Sequence, residues 1–537
     1  MNFPFRSITA STEFKRVMAL PKRGSPGDLS TLLTKKLRTE NGIMTLRPIQ
    51  AQALRELEQC QGLFAPIRVG GGKTLISLLA PVLLQAKRPL LLLPAKLIAK
   101  TKAETEVLGQ HWRFGQLKIL SYELMGHERG QEELLEYAPD LIIADECHKL
   151  KNTKAAVTRR VARYIGKNPK TVTLAMSGTI TKRSIRDFWH IAKWCLRSNT
   201  PMPLNWPEMS LWADALDEKV PDLMRVKPGV LGHDLQSARQ NFQTRFIKTP
   251  GVISTMDAFV GPALEFKRVN YQPSLELQIA FRNLRSLWET PDRWPITDAV
   301  SLWRHARELA CGFYYRWNPR PPEEWLSARK AWASYVRLKI ATWGNNLDTE
   351  LQVAKACTDG RLPPNTYQQW QEIKPIHELS TEAVWIDYSA LDLAARWLDN
   401  NHDGICWVEH VAFGEALAKQ IRCKFYGAGT HLEEASGPVI ASISAHSEGR
   451  NLQKWHQNLV ISCPPSGAIW EQLIGRTHRD GQLANKVTFD ILLACEEQTK
   501  GFKQAILDAR YIEDMTGQPQ KLTGENQWTT FFQESKP

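Results

Sequence analysis

The sequence predicts an α/β protein of two lobes, each built on a parallel sheet, with a largely helical, tryptophan-rich insertion between them. Three observations carry this expectation. From about residue 44 to about 200, short apolar runs (PLLLLPA, LKILSY, DLIIADE, TVTLAMSG) alternate with helix-like segments, the pattern of strands buried on both faces and joined by crossover helices. The pattern returns after about residue 384 in GICWVEH, GPVIASIS, QNLVISCP and KVTFDILL. Between the two, Trp189 to Trp370 include twelve of the nineteen tryptophans, in Pro-rich, helix-forming sequence.

Length requires more than one core, because 537 residues exceed the roughly 250 to 300 at which a single core stops growing. The expected division is a basic, loosely attached lead-in over 1–43, a first lobe over 44–200, the insertion and linker over 201–383, a second lobe over 384–510 and a tail over 511–537. No apolar stretch approaches the roughly 18 residues that cross a bilayer, which argues against a membrane protein. Charge and hydroxyls interrupt MNFPFRSITASTEFKRV, so it does not read as a secretory leader. The nine cysteines lack zinc or redox spacing and read as reduced, mostly buried thiols. A net charge of +13 suits a polyanionic partner, though a solvated basic surface would give the same figure.

The strongest local signal is IRVGGGKTLISLL. Gly70, Gly71 and Gly72 let backbone amides approach phosphate oxygens at a helix N-terminus, Lys73 can reach the terminal phosphates, and Thr74 can ligate magnesium. Ile67 stands where the general phosphate-loop pattern has its first glycine, and a flexible glycine loop is the plainer alternative. DLIIADECHKL strengthens the reading. An apolar strand ending in Asp145 and Glu146 puts two carboxylates at a sheet's carboxyl edge, one for the magnesium shell and one to orient or deprotonate the attacking water. In that order the two segments specify a nucleoside triphosphatase. His148 either couples this site to the rest of the lobe or is an ordinary surface histidine.

DECH resembles the DEAH/DExH box of superfamily 2 helicases and translocases, and further motifs of that superfamily follow in order. LRPIQ resembles the upstream glutamine motif, which implies that Gln50 reads adenine and that the nucleotide is ATP. LLLLPAKLI and SYE resemble motifs that track a phosphate backbone, implying roles for Lys96, Ser121 and Tyr122. SGT resembles the motif that couples hydrolysis to lobe movement through Ser177 and Thr179. SAHSEGRNLQ resembles motif V at Gly449, Asn451 and Leu452, but His446 and Ser447 replace glycines common there. EQLIGRTHRDGQ resembles motif VI of the Swi/Snf-like branch, with Gln472 in the coupling motif and Arg476 and Arg479 as arginine fingers.

The resemblance is to a compact bacterial or phage form of that branch and covers 46 to about 200 and about 384 to 495. It implies two RecA-like lobes, ATP and magnesium as cofactors, and a DNA-dependent ATPase that translocates on duplex DNA in replication, recombination or repair. Single-stranded or forked DNA is the next choice of track. It also implies work as a monomer in the cytoplasm of a bacterial cell or phage-infected host, with replication or recombination proteins as partners. A strand-separating DNA or RNA helicase, or an ATP-switched nucleic-acid clamp with negligible turnover, is the alternative.

The resemblance does not reach the middle of the chain. There Arg304, Arg307 and Arg316 open a basic segment, Trp303 to Lys339, interleaved with aromatic residues. Such a segment can meet phosphates and unstacked bases, or its tryptophans can form the core of a helical insertion with a basic outer face.

Overall fold

Five short strands form the first sheet in the computed structural model: β1 (Leu63–Ala65), β2 (Pro89–Leu93), β3 (Lys118–Ser121), β4 (Leu141–Asp145) and β5 (Val172–Met176). Their order is β1-β5-β4-β2-β3 and every pair is parallel. Side chains alternate between two buried layers, with Leu90, Leu92 and Ile142 in one and Leu91, Leu93 and Ile143 in the other. Burial on both faces is why these strands read as unbroken apolar runs.

The structure describes residues 6–24, 27, 29–218, 220, 225–256, 261–296, 298–342, 347–376, 379–524 and 527–533. The chain divides into two compact units, Met1–Phe259 with Ile506–Thr523, and Val260–Ala505 with Gly524–Pro537. The first unit takes in more than the predicted first lobe. Helix Thr12–Ala19, capped by the Ser11 hydroxyl, buries Val17, and helix Leu29–Leu37 buries Leu33 and Leu37, so the lead-in is packed at both helices. Helices Trp206–Leu216 and Leu235–Ile247 lie within the sequence assigned to the insertion. They bring Trp212, Phe242 and Phe246 into the same core as Phe64 and Phe188 of the first lobe. Tyr511 and Met515 complete that core from the stretch expected to be a tail.

The second unit holds β6 (Ala263–Val269), β7 (Phe313–Asn318), β8 (Ser380–Trp385), β9 (Gly404–Val408), β10 (Phe425–Tyr426), β11 (Val439–Ser442), β12 (Gln457–Val460) and β13 (Lys486–Leu492). Six of them form a parallel sheet in the order β10-β11-β9-β12-β13-β6. β6 was expected to fall within a helical insertion. As an edge strand it carries Glu265, Lys267 and Arg268 and buries only Phe266, so it lacks the apolar run that marks a central strand. β7 and β8 pair antiparallel. Trp325, Trp332 and Trp370 form the core of a helical cluster over Glu323–Thr342, Glu350–Thr358 and Asn365–Ile373. Trp528, on the terminal helix Gln527–Gln533, packs on Phe266 of β6 and on Phe502.

The fold is therefore α/β with two parallel sheets flanked by helices, the architecture of two RecA-like lobes. Among the described residues no helix is long and apolar enough to cross a membrane.

Candidate active site

β1, β5 and β4 are neighbours, so the loops leaving their carboxyl ends meet at one edge of the first sheet. In open α/β sheets this edge is where ligands bind. The loop after β1 carries the glycines and passes into helix Lys73–Leu84, whose apolar residues Leu75, Ile76, Leu79 and Ala80 seat it in the core. Gly70 and Gly72 adopt φ of 82° and 79°, conformations in which a side chain would be strained. A Cβ at Gly72 would sit 2.1 Å from the Gln50 amide nitrogen, so this position is closed to larger residues. Gly70 is exposed, and a Cβ there would meet nothing within 4 Å.

Gln50 is held in place. Its carbonyl accepts from Arg47 N at 2.9 Å and its amide donates to Gly72 O at 3.3 Å, while Arg47 Nη1 donates to Gly70 O at 3.2 Å. The LRPIQ segment thus clamps the glycine loop. Thr74 follows Lys73 in the first turn of the helix.

Lys73 Nζ lies 3.6 Å from Glu146 Oε1 and donates to Ile67 O at 3.3 Å. Glu146 follows β4 with φ 56° and ψ 48°, a left-handed conformation rare for a residue with a side chain. Its carboxylate accepts from the Ser177 hydroxyl at 3.0 Å and lies 3.3 Å from His148 Nδ1. His148 Nδ1 is also 3.0 Å from Ser177 Oγ and 3.5 Å from Thr179 Oγ1. His148, Ser177 and Thr179 therefore join Glu146 in one polar network.

Burial works against a charge on Glu146, yet the Lys73 ammonium and the His148 and Ser177 contacts outweigh it and hold this carboxyl well below the usual range. Asp145 behaves oppositely. Burial, with the Glu146 charge beside it, pushes Asp145 up to about 6. Neighbouring carboxyls in different electrostatic surroundings suit different tasks.

Three supports of this edge escaped the sequence. Tyr122 is buried and its hydroxyl donates to Asp145 O at 2.8 Å. Arg68 N and Thr255 Oγ1 meet at 3.3 Å, so the chain near residue 255 braces the glycine loop. Gln518 donates to Gly178 O at 2.8 Å, tying the C-terminal stretch to the SGT loop. None lies near its partner in sequence, so no local pattern marks them.

The residues assigned to a nucleic-acid backbone are placed unevenly. Lys96 is exposed on the short turn after β2, and Glu123 accepts from the amide of its neighbour Ala95 at 2.8 Å. Ser121 and Tyr122 are buried, and Ser121 caps the turn after β3 by accepting from Leu124 N at 2.9 Å. Their side chains serve the lobe's interior, which corrects the expectation that they face a nucleic acid.

In the second unit, helix Gly467–Thr477 carries Gln472 and Arg476, both buried, and Arg479 follows it half-buried. Arg476 donates to Arg450 O at 3.0 Å and Arg479 to the same carbonyl at 3.3 Å; Arg479 also donates to Asn451 Oδ1. Gly449, with φ 75°, makes the turn that presents this carbonyl. The segments SAHSEGRNLQ and EQLIGRTHRDGQ are thus joined by hydrogen bonds. His446 is wholly buried, with Nε2 3.1 Å from Gly427 O.

The middle segment is mixed. Arg307 pairs with Glu409, Arg316 with Glu382 at 2.6 Å, and Arg304 lies 3.9 Å from Glu308. Arg304, Arg316 and Arg320 line a cavity of about 320 Å³ with Trp294 and Trp317, and Arg320 stacks on Trp294 at 4.2 Å. The buried tryptophans of the helical cluster are core residues.

No protein-family model matches the chain. No curated protein matches it. Among solved structures it is similar to the Sulfolobus solfataricus SWI2/SNF2 ATPase core in complex with double-stranded DNA, at 12% identity and a TM-score of 0.33, over 84% of this chain and 88% of that one.

Proposed function

We propose that this chain hydrolyses ATP at the first lobe and uses the cycle to translocate on DNA. The observation that carries the reading is the approach of Lys73 to Glu146 at a helix N-terminus on the carboxyl edge of a parallel sheet. A lysine at a glycine-loop helix start meets terminal phosphates, and a carboxylate held ionised beside it can orient and deprotonate water.

Thr74 and Asp145 offer the hard oxygen donors that suit magnesium, and they would hold it. A bound magnesium would offset phosphate charge. Gln50 keeps the glycine loop in its binding shape and meets the adenine. Ser177, Thr179 and His148 steady the Glu146 carboxylate and sense its state, which gives hydrolysis a route into the loop after β5. In this reading Arg476 and Arg479 are the arginine fingers, and Gly449 and Gln472 belong to the unit that carries them.

Duplex DNA is the track this reading favours, on the form of EQLIGRTHRDGQ and the net charge of +13. The setting is DNA replication, recombination or repair in the cytoplasm of a bacterial cell or phage-infected host. The chain works as a monomer that replication or recombination proteins recruit.

Phosphate release measured with duplex, single-stranded and forked DNA and with RNA tests the proposal. Turnover stimulated most by duplex DNA is expected. Turnover indifferent to every nucleic acid would refute the motor, and stimulation highest with RNA would refute the track.

A further inference from the structure

Residues Ile506–Thr523 belong to the first unit although they follow the second lobe in sequence, and they hold the loop that leaves β5. Arg183 donates through Nε and Nη2 to the Asp508 carboxylate at 2.7 and 3.1 Å. The Tyr511 hydroxyl donates to Asp217 at 2.7 Å, and Arg186 Nη1 donates to the same carboxylate at 3.1 Å. Nearer the nucleotide site, Gln518 Nε2 donates to Gly178 O at 2.8 Å. Gly178 stands between Ser177 and Thr179, so this one bond reaches the two residues whose hydroxyls meet the Glu146 and His148 side chains.

Both ends of the bond are fixed. A Cβ at Gly178 would stand 3.1 Å from Val69 N and 3.3 Å from Ile67 O, so glycine lets the SGT backbone pack on the chain entering the glycine loop. Ser177 N donates to Ala65 O at 3.3 Å, and Thr179 N to Ser177 Oγ at 3.1 Å. On the other side of the bond, Gln518 is 1% exposed, its backbone N donates to Thr516 Oγ1 at 3.3 Å and its carbonyl accepts from Gln520 Nε2 at 3.3 Å. A buried carbonyl that loses its donor is costly, so without the Gln518 amide the Gly178 peptide would turn toward another partner. Ser177 would turn with it, and its hydroxyl is the one that donates to the Glu146 carboxylate at 3.0 Å. A catalytic group needs such support, because small displacements lower the rate steeply.

We propose that Gln518 is a positioning residue for Glu146, acting through Gly178 and Ser177, so that chain following the second lobe in sequence completes the nucleotide site. Its amide holds the Gly178 carbonyl, and the held loop keeps the Ser177 hydroxyl on the carboxylate. The effect on rate rests on the assignment of ATP hydrolysis; the hold on the loop does not.

Gln518→Met in the full chain tests it, since methionine fills similar space without a donor. Turnover should fall at least tenfold while ATP affinity stays within threefold, and amide hydrogen exchange over residues 176–180 should quicken at least tenfold. Ser177→Ala should also lower turnover, and Gln518→Met/Ser177→Ala should be no slower than the slower single variant, because both act through one hydroxyl. Gln243→Met removes a comparable hydrogen bond to the same stretch, donated to Glu513 O at 2.8 Å away from the SGT loop, and should keep wild-type turnover. Unchanged exchange in Gln518→Met, multiplied losses in the double variant, or an equal loss in Gln243→Met overturns the proposal. A wild-type chain without ATP turnover would refute the ATPase reading and the rate effect with it, while exchange would still decide whether Gln518 holds the loop.

Discussion

The Lys73 ammonium and the Glu146 carboxylate stand 3.6 Å apart although they belong to different loops, one after β1 and one after β4. The ammonium helps to hold the carboxylate ionised against its burial. Lys73→Ala should lower turnover at least 100-fold and weaken ATP binding, because it removes the cation at the phosphates and the one that keeps Glu146 ionised. Phosphate release and nucleotide titration, measured separately, check both effects.

Glu146→Gln should separate binding from chemistry. The amide keeps the shape and can still meet Ser177, now 3.0 Å from the carboxylate, but it cannot take a proton. ATP binding should stay within a few-fold of wild type while turnover falls by about 10² to 10⁴. Normal turnover in this variant would remove Glu146 from its catalytic role.

The two arginines of motif VI should differ. Arg476 is buried and donates to Gln472 O and Arg450 O, so Arg476→Ala should lower turnover and also cost about 1–3 kcal/mol of stability, read by denaturant unfolding. Arg479 is half-buried, and Arg479→Ala should cut turnover sharply at nearly unchanged ATP affinity and stability. Wild-type turnover in Arg479→Ala would assign that side chain to holding the 450–451 turn instead.

Salt and charge reversal probe the DNA contact. Affinity for duplex DNA should fall with salt at a slope of about −0.9 per phosphate contact, and Arg304→Glu/Arg307→Glu/Arg316→Glu should flatten it. Arg307 and Arg316 already face Glu409 and Glu382, so the triple change also sets acid against acid. Arg304→Gln alone is the cleaner probe, since that side chain is 64% exposed and glutamine sets no new acid beside Glu308. An unchanged slope in both variants would return this segment to a structural role.

Acid stability should depend on Asp217. Burial pushes its carboxyl up to about 6 against the contacts from Tyr511 and Arg186, from an ordinary value of 3.8. A carboxyl raised on folding binds its proton more tightly in the folded state. Its contribution therefore grows as pH falls from about 6 toward 4 and is lost as pH rises through 6. The swing is up to about 3 kcal/mol at roughly 1.4 kcal/mol per pKa unit. Asp217→Asn should flatten this part of the stability profile, measured by denaturant midpoints from pH 4 to 7.

The α/β class, eight strands of the two parallel sheets and the sequence positions of the glycine loop and the acidic strand end were legible because each is written in contiguous residues. PLLLLPA announces a strand buried on both faces, KVTFDILL one whose burial alternates along its length, and GGGKT and DECH keep their polar groups within a few positions. Tertiary structure decided what depends on distant partners. Edge strand β6 hides its pairing behind surface charge, and Trp212 and Tyr511 join one core across about three hundred residues. The turn of Tyr122 inward to Asp145 O and the bond from the buried Arg245 guanidinium to Pro21 O were equally out of reach. Periodicity reports which face of an element is buried, but not what lies against it. A residue's hydrogen-bond partners are set only when the chain has closed around it.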